Sequence, residues 1–380
     1  MIFIVITMLL PLIGLLLPQQ WSKKIICAAL LGLAMQFRFS ASLHQGQTPF
    51  DINLFDTFTW GIHGWDVSAT FGLALSIPLL TTNRKSDWVA IFGVVCMLYG
   101  SSLPSWIVGF GLCLIALGEK PWVLFPSTIA VVGSYMYPEP QPLQQLAMIC
   151  LMFGSVVWPF LHKPKTEIGR ALVPAFALLS LTPIICTKWA IGMAIGGPLL
   201  GILALLGIAA HGLRIIFGSH ELEEDIYMFW MHLGFFGLCS LQPIGWDGAA
   251  VLLVTLPLLY LGTKNGSILC RFSFFGLPPF PNVICLVMIL LGMWSSVWSA
   301  RLYWVIVVGL IWGGILARYK KTTTNGQITE KRLIATTGLL LFSLYPSIIF
   351  HSIQTVTPTF LANYWAVFQQ LFAGEFPTWI

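Results

Sequence analysis

Four side chains in this sequence could handle a proton in apolar surroundings. Lys188 lies between two apolar runs, His211 precedes Arg214 by three residues on a third, His232 sits within Met231-His232-Leu233-Gly234-Phe235, and Glu119 stands beside Lys120 at the end of another. An imidazole titrates near neutral pH, whereas a lysine or carboxylate does so only when its surroundings shift it. In hydrocarbon an ionised group costs several kcal/mol, so such residues mark ion paths or paired structural sites. Each keeps two readings. Lys188 is a relay or a terminal lysine snorkelling to the headgroups. Glu119 is a relay or half of a loop ion pair with Lys120. His211 and His232 line a half-channel or are hydrogen-bonded within a core, with Arg214 near the cytoplasmic end of its span.

A second feature is conformational. Gly276, Pro278, Pro279 and Pro281 interrupt an apolar run. Proline removes backbone donors and ends a helix, which a bilayer tolerates only where other helices or water satisfy the freed carbonyls. Other chemistries find no residues. There is no His-box, Asp-rich metal motif, Gly-rich nucleotide loop or acid–His–nucleophile arrangement to serve an enzyme acting on lipid or quinone. The eight cysteines form no Cys-x-x-Cys pair and fall within or at the edges of apolar runs; they are expected to be buried thiols, neither disulfides nor metal ligands. No cofactor is expected in this chain, and any electron transfer belongs to partner subunits.

The elements that position these residues follow from composition. Of 380 residues 57% are hydrophobic and 9% charged, against roughly 25% charged in a soluble domain; the mean hydropathy is +0.85. The expected fold is all-α, a polytopic transmembrane helical bundle with broken helices. Apolar runs near 2–17, 25–37, 67–82, 88–101, 104–118, 122–136, 144–161, 171–187, 190–217, 227–242, 248–263, 273–295, 302–317 and 333–350 give about fourteen spans. The first lacks a basic n-region and a small-residue cleavage site, so it reads as a span rather than a removed signal. Residues 1–350 read as a single transmembrane domain and 351–380 as an interfacial or external tail, anchored by its aromatic end.

Charge sets the orientation. With the N-terminus outside, the inner loops gather Lys23 and Lys24, Arg84 and Lys85, Lys120, Lys163 with Lys165 and Arg170, Lys264 with Arg271, and Arg318 to Arg332. Cytoplasmic loops are enriched in lysine and arginine, so the formal net charge of +5 reports topology and not nucleic-acid binding. One inner turn, 219–225, carries Glu221, Glu223, Glu224 and Asp225. It reads as a solvated turn, with a docking surface as the other possibility.

Three local signatures occur in one order. Gly61-Ile62-His63-Gly64-Trp65-Asp66-Val67-Ser68-Ala69 leads into an apolar span, Met231 to Phe235 follows the acidic turn, and Phe274-Phe275-Gly276-Leu277-Pro278-Pro279-Phe280-Pro281 forms the break, with Asn282 where glycine is usual. Val157 to His162 and Ile184 to Trp189 add to them. Together they resemble the antiporter-like membrane subunits of respiratory complex I, membrane-bound hydrogenases, Mrp antiporters and bicarbonate-uptake complexes; the chain reads as a divergent, shortened member.

The resemblance implies a subunit of a larger ion- or proton-translocating complex in an energy-transducing membrane, a bacterial inner membrane rather than an organellar one. Its implied partners are other integral membrane subunits, a soluble peripheral subunit and lipids. The resemblance implies that active members carry a central line of charges: a Glu on the fifth helix, a Lys on the broken seventh, a Lys or His on the eighth and a Lys or Glu on the broken twelfth. Here the seventh-helix lysine position falls on Gly154, and the run 302–317 holds no ionisable residue apart from Tyr303. The implied proton path is therefore degenerate, retaining Lys188, His211, His232 and Glu119 as its candidates. A different class remains open, an autonomous secondary transporter of ions or bicarbonate coupled through Lys188, His211 and His232.

Overall fold

The computed structural model describes residues 2–43, 52–54, 57–61, 66–81, 84–118, 121–137, 139–161, 166–218, 221–240, 242–277, 281–294, 301–317 and 330–344. Glu119, Pro278, Pro279 and the expected tail at 351–380 lie outside these residues. The chain forms two compact units, Met1–Gly196 and Gly197–Ile380.

In the first unit, α1 (Ile2–Ile13) and α2 (Gln19–Leu43) precede a two-stranded antiparallel hairpin, β1 (Ile52–Leu54) and β2 (Phe58–Trp60). Then come α3 (Asp66–Ser76), α4 (Lys85–Leu98), α5 (Leu103–Ala116), α6 (Phe125–Met136), α7 (Pro142–Leu161), the one-turn α8 (Glu167–Ala171) and α9 (Val173–Lys188). Helix starts follow local chemistry. Ser102 accepts a hydrogen bond from the Ser105 amide at the head of α5, and Thr166 from Gly169 at the head of α8, the capping role of short hydroxyl side chains. Glycines let α4 and α5 meet closely: a methyl on Gly93 would lie 2.7 Å from the Gly109 carbonyl oxygen.

Connections cluster at two ends of this unit. At one end the hairpin docks on the α4–α5 turn, with Gly61 donating to the Tyr99 carbonyl and Ser101 to that of Thr59. At the other, Lys23 Nζ donates to the Leu80 carbonyl at 2.7 Å and the Thr81 amide to Glu167 at 2.7 Å.

α10 (Ala190–Phe217) carries the chain onward. The second unit contains α11 (Leu222–Cys239), α12 (Pro243–Lys264), α13 (Ile268–Phe274), α14 (Pro281–Trp294), α15 (Arg301–Ala317) and α16 (Glu330–Leu344). Every residue of α12 from Asp247 to Thr263 is buried, packed by α11, α13, α14 and α16. A helix apolar all round belongs at the centre of a bundle. All fourteen expected spans have a helix, and sixteen α-helices occur among the described residues, two of them short. The run 273–295, expected as one span, is divided: α13 ends at Phe274 and α14 begins at Pro281.

Candidate proton-handling cluster and helix break

The second unit brings His211, Asp225 and His232 together. His211 lies in the last third of α10 and Asp225 in the first turn of α11. His211 Nδ1 and Asp225 Oδ1 are 2.8 Å apart, with side chains 13% and 10% exposed. The ring of His232 stands 5.4 Å from that of His211, centroid to centroid. Asp225 and His232 are seven residues apart on α11, two helical turns, and so share a face. This rise of about 10 Å carries the cluster from the end of the helix into the unit.

Geometry fixes the imidazole tautomers. A carbonyl only accepts, so His232 Nδ1, 2.8 Å from the Met228 carbonyl oxygen, carries the hydrogen. The Asp225 carboxylate likewise takes the Nδ1–H of His211. In both rings Nε2 is left as the atom that gains or gives a proton. Arg214 Nη1 lies 3.8 Å from Asp225 Oδ1, on a side chain 65% exposed, so the Asp225 end faces the surroundings and the His232 end lies deeper. Gly207 makes the close approach possible, because a methyl there would run into the His232 ring.

The expected solvated turn therefore needs correcting at one residue. Asp225 is 7% exposed and bonds to a neighbouring helix, whereas Glu221 is exposed. The seven-residue spacing to His232 is the sequence signal that could have found it.

The break lies in the same unit. α13 ends in a Schellman turn: Leu277 donates to the Phe272 carbonyl, Gly276 to that of Ser273, and Gly276 has φ of 77°, a conformation glycine adopts without strain. Indole donors cover exposed carbonyls, Trp230 Nε1 bonding to Phe274 O at 2.6 Å and Trp312 Nε1 to Gly276 O at 3.3 Å. Such partners are what a broken helix in a membrane needs. Pro281 occupies the first position of α14, where its missing donor costs nothing.

The first unit places Lys188 at the C-terminus of α9, favourable for a cation at the negative end of the helix dipole. The residue is exposed, with Nζ 3.5 Å from Ser134 Oγ and 5.6 Å from the Tyr135 ring. α7 runs unbroken from Pro142 to Leu161, and Gly154 lies exposed on it with open space where a side chain would start. No group of three potential metal ligands occurs among the described residues.

No protein-family model matches the sequence, nor does any curated protein. Solved structures do share its fold. A chain of respiratory complex I from Thermus thermophilus, in a structure with bound NADH, superposes with a TM-score of 0.69 at 15% identity, covering 95% of this chain and 99% of that one. A chain of the Mrp complex from Dietzia sp. DQ12-45-1b gives 0.68 at 11% identity, covering 98% of this chain but 55% of that one. A chain of the membrane-bound sulfane sulfur reductase, an archaeal respiratory membrane complex, gives 0.55 at 12% identity, with 95% and 99% covered. The protein thus has the helical membrane fold of the antiporter-like subunits that its motifs resemble.

Proposed function

We propose that this protein is an antiporter-like integral subunit of a multi-subunit, ion-translocating membrane complex of the complex I, hydrogenase or inorganic-carbon-uptake type. It resides in a bacterial inner membrane with its N-terminus outside. The observation that carries this reading is the near end-to-end agreement with the complex I chain, 95% of one against 99% of the other. Its own part in translocation is a shortened proton route. Asp225 holds His211 in one tautomer, His211 faces His232, and a proton entering at the Asp225 end passes from imidazole to imidazole through the Nε2 atoms. Lys188, at the end of α9, is assigned no step in this route.

Purification of the tagged protein from its native membrane in mild detergent, with mass spectrometry of what copurifies, tests the assignment. Integral and peripheral subunits at fixed stoichiometry are expected. Recovery as a lone protein that transports ions or bicarbonate in liposomes would overturn it in favour of an autonomous transporter.

A further inference from the structure

In the first unit, the turn between α1 and α2 lies against the residues that lead into α4. Lys23, half-buried near the start of α2, donates from Nζ to the Leu80 carbonyl at 2.7 Å. On the other side Gly14 meets Trp88, so closely that a methyl on the glycine would lie 2.6 Å from the indole. This pairing gathers three exposed cations: Lys24 on α2, Arg84 at the N-cap of α4 and Lys85 in its first turn. The two acids beside them turn to the backbone. Asp87 is buried and accepts the Arg84 amide, and Glu167 accepts the amide of Thr81.

Basic turns are general on the cytoplasmic side of a membrane protein, so the surroundings of these cations matter more than their number. In the second unit the cations are engaged within the protein. Lys264 stands 4.5 Å over the Tyr260 ring, Arg271 lies 5.7 Å from the Phe275 ring, and Arg332 Nε donates to the Asn265 carbonyl at 3.2 Å. In the first unit Arg84 and Lys85 project outward, and Lys24 stands 6.0 Å over Trp21, an indole that is itself exposed. Trp21, Lys24 and Ile25 share one face of α2. Both apolar members of that face are exposed, Ile25 lying one turn further along the helix than Trp21.

Guanidinium and ammonium groups only donate, and phosphate oxygens only accept, in the strong charge-assisted class of hydrogen bond. An acidic protein would match the charge but would leave Trp21 and Ile25 without a role. A phospholipid matches both parts, since tryptophan favours the headgroup level and an apolar side chain one turn deeper meets acyl chain. We propose that the α1–α2 turn and the start of α4 form a binding site for an anionic phospholipid. Lys24, Arg84 and Lys85 hold its phosphate, and its acyl chains lie along Trp21 and Ile25. The site requires the membrane fold but no ion translocation, so it stands or falls separately from the function proposed above.

Photo-crosslinking of the protein in its intact complex, held in lipid nanodiscs, tests the site. Phosphatidylglycerol and phosphatidylcholine probes with the same photoreactive group near the glycerol are compared, and their adducts are mapped by mass spectrometry. Each lysine or arginine near an anionic surface gives about a fivefold preference, so three should make the anionic probe label the site roughly tenfold more than the zwitterionic one, or better. Lys24→Gln combined with Arg84→Gln and Lys85→Gln should bring that labelling down to the zwitterionic level. Adducts on the exposed α10 residues Leu199 and Leu206 should stay as they were, showing that the variant still folds and inserts. Equal labelling of the unmodified site by both probes would overturn the proposal, as would full anionic labelling of the triple variant. Excess inorganic phosphate should not compete with the lipid probe; competition would replace the lipid with free phosphate. Chemical crosslinks from Lys24 or Lys85 to another protein chain, with no anionic-lipid adduct at the site, would overturn it in favour of an acidic partner.

Discussion

Asp87 and Asp225 are both buried carboxylates in the first turn of a helix, 4% and 7% exposed, yet they do different work in the two units. Asp87 turns back on its own chain, its Oδ2 accepting the Arg84 amide at 2.8 Å. Asp225 reaches to another helix and takes the imidazole of His211 at 2.8 Å. The first satisfies a helix terminus; the second fixes the proton-bearing atom of a titratable ring. The rest of each unit follows the same contrast. Buried polar contacts of the first unit include neutral pairs such as Thr70 with Tyr99 and Trp106 with Ser180. In the second unit a carboxylate, two histidines and a broken helix share one bundle. Burial of a charge at a helix start does not reveal its role; the partner does.

The contrast breaks most easily at its carboxylates. Asp225→Ala leaves His211 without its acceptor and should cost about 2–3 kcal/mol, as for a buried hydrogen bond to a charged group. Asp87→Ala removes a cap and should cost about 1 kcal/mol. Chemical denaturation in detergent reads both, and equal losses would erase the distinction. Next comes Gly207→Ala, which drives a methyl against the His232 ring and should destabilise by about 2 kcal/mol, as overpacking does. A Gly207→Ala melt unchanged from that of the unmodified protein would mean that the rings are not held where α10 and α11 put them. The smallest effect sharpens the comparison rather than breaking it. Trp230→Phe and Trp106→Phe each remove one indole hydrogen bond and should each cost about 1 kcal/mol. Only the first should alter the helix break, visible as faster amide exchange between Phe272 and Leu277.

Much of this was legible in the sequence, for physical reasons. Apolar runs mark helices that pack in an apolar setting, so all fourteen runs found a helix, although among the described residues only Ala190–Phe217 and Pro243–Lys264 are long and apolar enough to cross a membrane by themselves. Gly276 with its following prolines predicted the break because no side chain can restore the missing donors. The role of Asp225 was hidden by its neighbours: Glu221, Glu223 and Glu224 make the turn look solvated; the helical face shared with His232 separates it from Glu223 and Glu224, and Glu221 stands outside the helix, at its N-cap. The hairpin at Ile52–Trp60 was also unread, since its pairing depends on the α4–α5 turn that receives it. Lys188 could not be placed by pattern, because a relay lysine and a helix-terminal lysine occupy the same kind of position between apolar runs.

Ion translocation by the intact, reconstituted complex tests the central claim most directly. Asp225→Asn keeps the size of the side chain but removes its charge and its hold on the His211 tautomer, while Lys188→Gln changes an exposed helix end. With assembly verified for both, the account predicts fewer ions moved per turnover in Asp225→Asn and unchanged stoichiometry in Lys188→Gln. Full translocation by Asp225→Asn, or its loss in Lys188→Gln alone, would contradict it.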